Sequence, residues 1–309
     1  MKKPNTPTKP KGLSAKTATL HSRNRHQGHY PMAALIQDHP ALQPFLTTTR
    51  KGQQSIDFSN PQAVKTLNQA LLRHYYQIND WDIPANYLCP PIPGRVDYLH
   101  HLADLQPASQ NNKKTNVLDI GTGANCIYPL LGHRCYNWQF VATDIDPNAL
   151  KNAHNILQKN PDIQPAIELR QQTDPNAFFK GIIKKEERFT FTLCNPPFHR
   201  SSQEASAGTQ RKWKNLGKKH HIDQLNFGGQ KNELSYPGGE INFICRMITE
   251  SKQFSQNCLW FTSLVSKADS LTPIYRTLKQ QGVYQHRTIE MAQGNKNSRF
   301  IAWTFQTQI

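Results

Sequence analysis

The tetrapeptide Asn195-Pro196-Pro197-Phe198, placed directly after the apolar run Phe189–Leu193, joins residue types that can act on a nitrogen of a base. The exocyclic N6 of adenine is a poor nucleophile because its lone pair is delocalised into the ring. It becomes reactive as the nitrogen turns tetrahedral, and two acceptors aimed at its two hydrogens favour that change. The Asn195 side-chain oxygen and the Pro196 carbonyl can supply them. Each proline fixes its own φ and holds the residue before it extended, so the acceptors are set in place before the reaction. Phe198 can stack on the base, worth ~1–3 kcal/mol in nucleic-acid sites. Alignment with an electrophilic methyl group supplies much of the remaining rate without a strong base or a metal. The plainer reading of the same four residues is a strand that ends in a Pro-Pro turn, with Asn195 as its cap and Phe198 in the core.

A second signal lies upstream. Val117-Leu118-Asp119-Ile120-Gly121-Thr122-Gly123-Ala124-Asn125 reads as an apolar strand running into a glycine turn, where the backbone can approach a ligand and point amide N–H groups at it. About twenty residues on, after the run ending Val141-Ala142-Thr143, stands Asp144, where a doubly wound fold places a carboxylate against ribose hydroxyls. The third glycine of a dinucleotide fingerprint is missing, with Asn125 and Cys126 in its place, so no pyrophosphate cradle is expected. A nucleoside cofactor without a phosphate, such as S-adenosylmethionine, needs the turn and the acid alone. Asp119 either orients the glycine loop or meets the ammonium of the cofactor, and Gly121, Thr122 and Gly123 of the loop are expected to lie along the cofactor.

The elements that must position these groups follow from periodicity. Short β-rich runs at Val117–Ile120, Gln139–Ala142, Ile167–Leu169, Phe189–Leu193, Leu259–Thr262, Thr288–Met291 and Ile301–Phe305 alternate with helical lengths. That pattern predicts a Rossmann-like, mostly parallel α/β sheet over residues 113–309, with the last two strands forming an antiparallel edge hairpin across a Gly294–Asn297 turn. Upstream, Asn60 and Pro61 mark the start of a helix reaching about Tyr76, with Val64, Leu67, Leu71 and Tyr75 on one face. The prolines between Trp81 and Gly94 exclude a helix there, and an amphipathic pattern resumes over Arg95–Leu105. Residues 31–112 thus read as a small helical region packed ahead of the sheet.

Charge points to the partner. Lys and Arg number 37 against 21 acids, a formal charge of +16, which favours polyanions and above all nucleic acid. From Met1 to Gln37 there is no acid, while Arg23 and Arg25 join five lysines, so residues 1–30 read as a disordered basic arm. A further basic stretch within 199–236 carries Arg200, Arg211, Lys212, Lys214, Lys218 and Lys219 around Trp213, beside the Pro-Pro turn, and suits a loop that grips RNA. The six cysteines have no zinc-type spacing and read as reduced core thiols. The His100-His101 pair has no completing ligands in sequence, so no metal is expected. The absence of a long apolar run or signal-type N-terminus predicts a cytoplasmic chain without a membrane span.

The order of glycine loop, acid after the second strand and Asn-Pro-Pro-Phe after the fourth resembles the class I S-adenosylmethionine-dependent methyltransferases acting on amino groups. From Leu20 onward the chain is similar, more specifically, to the bacterial 23S rRNA adenine-N6-methyltransferases and their eukaryotic relatives acting on small nuclear and messenger RNA. The pieces that carry the likeness include Leu20 to His26, Ser55 to Phe58, Tyr87 to Arg95, Asp119 to Gly132, Cys194 to Phe198 and Gly238 to Glu240. The resemblance implies that Arg95, Gly121, Asp144, Thr173 and Asn195 line the cofactor site, with Asn195 to Phe198 also facing the base. A guanidinium at Arg95 can pair with the cofactor's carboxylate. The resulting expectation is an enzyme that methylates N6 of one adenine in 23S rRNA, free or in an assembling large subunit, and works as a monomer. The alternatives are guanine-N2 methylation of rRNA, methylation of a protein glutamine, and a non-catalytic RNA-binding assembly factor.

Overall fold

The computed structural model describes residues 19–106, 114–200, 229–293 and 296–307. Its centre is a seven-stranded sheet. In chain order the strands are β3 (Asn116–Ile120), β4 (Gln139–Asp144), β5 (Ile167–Gln171), β6 (Phe189–Cys194), β7 (Cys258–Val265), β8 (Gln285–Gln293) and β9 (Lys296–Thr304), arranged as β5-β4-β3-β6-β7-β9-β8. The first five pair in parallel, while β9 runs antiparallel to both β7 and β8. The expected C-terminal hairpin is therefore present, but its second strand lies inside the sheet and its first returns to the common direction at the edge. The runs extend past their predicted ends, most at β8 and β9, because ladder hydrogen bonds carry polar residues such as Gln285 and Lys296 into the sheet.

Alternate residues of the strands feed two cores, one on each face. Leu118, Val141, Phe261 and Trp303 pack with α7 (Gly239–Ser251) and α8 (Leu271–Gln281) through Ile244, Met247, Ile274 and Leu278. Val117, Phe140, Phe191 and Phe300 pack on the other face, and there they share a single core with the N-terminal residues. That N-terminal part comprises α1 (Met32–Asp38), the β1 (Leu46–Thr48) and β2 (Gln54–Ile56) hairpin, α2 (Pro61–Tyr76) and α3 (Ile92–Ala103). It is not a unit placed ahead of the sheet, as its composition suggested: α3 covers the sheet directly, with the buried Tyr98 hydroxyl 2.6 Å from Thr262 Oγ1. The helix α4 (Ile127–Tyr136) follows the glycine turn on this face, and α5 (Pro147–Gln158) follows β4. A single turn, α6 (Lys231–Leu234), leads into α7.

Helix α2 matches its prediction, with the Asn60 side chain accepting from Gln62 and Ala63 N–H and Pro61 opening the first turn. Helix α3 starts three residues earlier than its periodicity suggested. Pro93 falls in the first turn, where its missing N–H is not needed.

The basic arm needs a larger correction. Residues 1–18 lie outside the described residues, but residues 19–30 are held against α2 and α3. Asp97 Oδ1 accepts the His21 backbone N–H at 2.7 Å and Asn24 Nδ2 at 3.0 Å, Arg23 donates to the His100 carbonyl at 2.7 Å, and Arg25 donates to the Tyr75 carbonyl at 3.0 Å. Asn24 and His26 are buried. The segment is ordered by polar contacts with the Asp97 side chain within α3 and with carbonyls in the last turns of α2 and α3, which a count of apolar residues does not register.

All six cysteines are free, and Cys89, Cys126, Cys194 and Cys258 are buried. Among the described residues no helix is long and apolar enough to cross a membrane.

Candidate active site

The sheet reverses its order of growth at β3, which has β4 on one side and β6 on the other. Ligands of open α/β sheets bind at the carboxyl ends of strands at such a switch point. Register brings the two sequence signals together there. Ile120 is opposite both Thr143 and Cys194, so the glycine turn leaves the sheet level with Asp144 and Asn195.

Gly121 and Thr122 N–H both donate to the Thr143 carbonyl, at 2.9 and 2.8 Å. Gly121 has φ +74 and Gly123 φ +64, a region costly for other residues. At Gly123 space is also short: a Cβ would stand 3.2 Å from Asn125 Nδ2 and 3.4 Å from Glu233 Oε1. Asp144 uses both oxygens to build the site, accepting Gly123 N–H at 2.8 Å and Asp146 N–H at 2.9 Å. Burial still raises its pKa, against the pull of those N–H groups. Asp119 is fully buried under the loop, neither oxygen has a partner at hydrogen-bond geometry among the described residues, and burial pushes it up to about 7, with the neighbouring Thr122 hydroxyl pulling the other way and the Asp144 charge adding to the rise.

A cleft opens above these groups. Of the predicted residues, Arg95, Gly121, Thr122, Gly123, Asp144, Asn195 and Pro197 line it. Pro196 is buried, Phe198 is half-buried, and neither reaches the lining. Thr173, expected at the cofactor, is exposed and outside the cleft, while its neighbour Gln172 is buried and lines it. The Gln172 N–H donates to the Asp144 carbonyl at 2.9 Å, so the residue facing inward is one position earlier than the resemblance implied.

Several polar atoms around this cleft are buried without a hydrogen-bond partner among the described residues: Asn195 Oδ1, Arg95 Nε, Thr122 Oγ1 and the Asp119 oxygens. Such atoms are costly to leave unpaired, so a cleft that collects donors and acceptors of both signs fits a polar ligand. Arg95 is held by Tyr128, whose hydroxyl accepts from Nη1 at 2.8 Å and whose ring lies 5.5 Å from the guanidinium carbon. Its place suits a carboxylate, that of Asp144 a ribose, and the glycine turn an approach close to the ligand chain.

The profile of the RNA methyltransferase family matches residues 14–307. The chain is 55% identical over 301 residues to a protein of Shewanella denitrificans named ribosomal RNA large subunit methyltransferase F, covering 94% of this chain and 84% of that one. It is 53% identical over 295 residues to the protein of that name from Salmonella arizonae, covering 95% and 96%. The chain belongs to the RNA methyltransferase family. Among solved structures, the human METTL16 catalytic domain in complex with MAT2A 3′UTR hairpin 1 superposes with TM-score 0.80 at 29% identity, over 94% of this chain and 96% of that chain. The N-terminal domain of human METTL16 in complex with SAH gives TM-score 0.74 at 28% identity, over 93% and 99%. This methyltransferase is thus an enzyme of the class I fold that uses S-adenosylmethionine and acts on RNA.

The structure adds residues to the methyltransferase site that the sequence did not single out. Tyr128 sets Arg95, Asn125 and Gln172 join the lining, and Glu233 and Tyr236 at the C-terminal end of the basic stretch reach the cleft together with Phe243 beyond it. Helical position after the glycine turn could have flagged Tyr128, but nothing in sequence places Glu233 against Gly123. The ends of the basic stretch are tied together: His199 N–H donates to the Leu234 carbonyl and Tyr236 N–H to the His199 carbonyl, both at 3.0 Å. Arg200 is exposed beside Gly239, whereas Arg211, Lys212, Lys214, Lys218 and Lys219 lie outside the described residues.

Arg23 and Arg25 are not beside this cleft. With Arg134 they line a cavity at the carboxyl ends of α2 and α4, at the opposite end of the sheet, and each donates to a backbone carbonyl. Nearby, His21, His101 and Asp104 bring ligand-type atoms within 4.8 Å of one another. Arg23 N–H donates to His21 Nδ1 at 3.1 Å, which leaves the proton on Nε2 for Asp104 Oδ2 at 2.8 Å. The cluster works as a latch for the N-terminal segment, with that nitrogen's lone pair unavailable to an ion.

Proposed function

We propose that this methyltransferase transfers the methyl of S-adenosylmethionine to N6 of one adenine in 23S rRNA, free or within an assembling large subunit, as a cytoplasmic monomer. The observation that carries the reading is the buried, unpaired Asn195 Oδ1 in the lining of the cleft, an acceptor awaiting a donor hydrogen. In this reading Asn195 Oδ1 and the Pro196 carbonyl accept the two N6 hydrogens, Pro197 fixes the turn, and Phe198 stacks on the base at the entrance. Arg95 pairs with the cofactor carboxylate, Asp144 accepts from its ribose, and Gly121, Thr122 and Gly123 pass alongside it. Asp119 supports the loop from below. The group supplies an electrophilic methyl when bound, and the proton that N6 loses passes to solvent.

The RNA is gripped beside the site by Arg200 and by Arg211, Lys212, Lys214, Lys218 and Lys219. Support comes from the charge of +16 and from the relatives named for large-subunit ribosomal RNA.

The test is to incubate the protein with methyl-labelled S-adenosylmethionine and rRNA from a strain lacking the gene, then digest to nucleosides. Label in N6-methyladenosine is expected. Label in N2-methylguanosine, or in no nucleoside of naked rRNA or large-subunit precursors, overturns the reading.

A further inference from the structure

S-adenosylmethionine ends in an amino acid with one carboxylate and one ammonium. A cleft that holds this end needs a cation for the first and an anion for the second. Among the described residues that line the cleft, Arg95 is the one cation, and Asp144 and Glu233 are the acids. Asp144 stands at the end of β4 with both oxygens engaged, in the place suited to the ribose. Asp119 is shut beneath the glycine loop and does not reach the lining.

Glu233 is different. Its Oε2 accepts Leu88 N–H at 3.2 Å and Gln230 N–H at 2.7 Å, which fixes the carboxylate over the rim. Its Oε1 carries no hydrogen bond among the described residues and points to the glycine loop, 3.4 Å from the position a Gly123 Cβ would take. The same rim holds Asn125, whose Nδ2 donates to the Leu88 carbonyl at 3.4 Å.

We propose that Glu233 Oε1 receives the ammonium of the cofactor's amino acid end, opposite Arg95. The inference rests on the reading of the cleft given above, with Arg95 and Asp144 at the cofactor. Burial and the neighbouring Asp144 and Asp146 charges raise the pKa of Glu233, so a cation arriving there relieves a carboxylate that is otherwise poorly stabilised. Oε2 meanwhile keeps its hold on Leu88 and Gln230, so the cofactor is clasped between segments 145 residues apart in sequence.

Calorimetry on the full chain tests this with two ligands: S-adenosylhomocysteine, which keeps the ammonium, and its desamino analogue, which keeps the carboxylate but has hydrogen in place of the amine. Wild type is expected to prefer the first by roughly ten- to a hundredfold, the range of a hydrogen bond to a charged group. Glu233→Gln is expected to lose that preference while binding the desamino analogue as wild type does, and Glu233→Asp serves if the first variant does not fold. Equal weakening towards both ligands would make Glu233 a clasp for Leu88 alone and overturn the inference, as would an unchanged preference. Loss of the preference in Asp119→Asn with its retention in Glu233→Gln would place the ammonium on Asp119 and also overturn it. Asp144→Ala separates the two levels. If it weakens neither ligand, the reading of the cleft fails; if it weakens both while Glu233→Gln keeps the preference, only the role of Glu233 fails.

Discussion

The Gly123 backbone N–H donates to Asp144 Oδ2 at 2.8 Å, so the acid at the end of β4 also shapes the loop after β3. A ribose acceptor in that position is therefore already oriented by the turn it serves. Its removal disturbs the loop as well as the hydrogen bond to the hydroxyl.

Asp144→Ala is accordingly expected to weaken S-adenosylmethionine binding by at least ~1.5–3 kcal/mol, the worth of a hydrogen bond to a charged group. Asp144→Asn keeps one acceptor oxygen for Gly123 and should fall between wild type and alanine. Calorimetric titration of the three proteins ranks them, and equal affinity throughout would remove Asp144 from the site.

Asn195→Ala takes away the buried acceptor and leaves the glycine loop and Arg95 in place. Removal of one preorganised polar group at a reacting centre costs about 10²- to 10³-fold in rate. Single-turnover methylation should fall by that order while cofactor affinity changes little. Near-wild-type turnover would refute the role of the turn.

Asp119 supplies a pH dependence of stability. Its folded pKa, about 7, stands above the ordinary carboxylate value of 3.8, so folding favours the protonated form. The stabilisation is complete below the unfolded value and is lost as pH rises through the folded one, between about 4 and 7. Asp119→Asn mimics the neutral carboxyl and escapes that loss. Its melting temperature relative to wild type should rise from pH 5 to pH 8, and a constant difference across that range would count against the buried, unpaired carboxyl.

The N-terminal latch separates structure from RNA binding. Asn24→Ala removes a donor to the buried Asp97 and should cost ~1–3 kcal/mol of stability. Chemical denaturation measures it.

Deletion of residues 1–18, which removes Lys2, Lys3, Lys9, Lys11 and Lys16 without touching the latch, should leave the fold intact. If these cations meet phosphates, the salt dependence of RNA binding should drop by roughly 0.7 to 0.9 log units for each phosphate that the shortened chain no longer neutralises. Identical log–log slopes for the full and shortened chains would show that these lysines do not touch RNA.

Local pattern and spacing were enough to place the strands, the glycine turn, Asp144 and the Asn-Pro-Pro-Phe turn in their correct order, because alternation, φ > 0 glycines and proline restraints act within a few residues. The class of chemistry could be read from that order for the same reason. Three further matters depended on partners distant in sequence. Thr173 faces out and Gln172 in because Gln172 N–H meets the Asp144 carbonyl, a choice of side that a one-residue slip reverses. Arg23 and Arg25 read as free cations until Asp104 and the carbonyls of His100 and Tyr75 take up their N–H groups. Glu233 reaches Gly123 only after the chain has left the active site and returned past the basic stretch. Backbone preference is set by near neighbours and so is written along the chain, whereas the pairing of a side-chain donor or carboxylate is set by whichever group packing brings within about 3 Å.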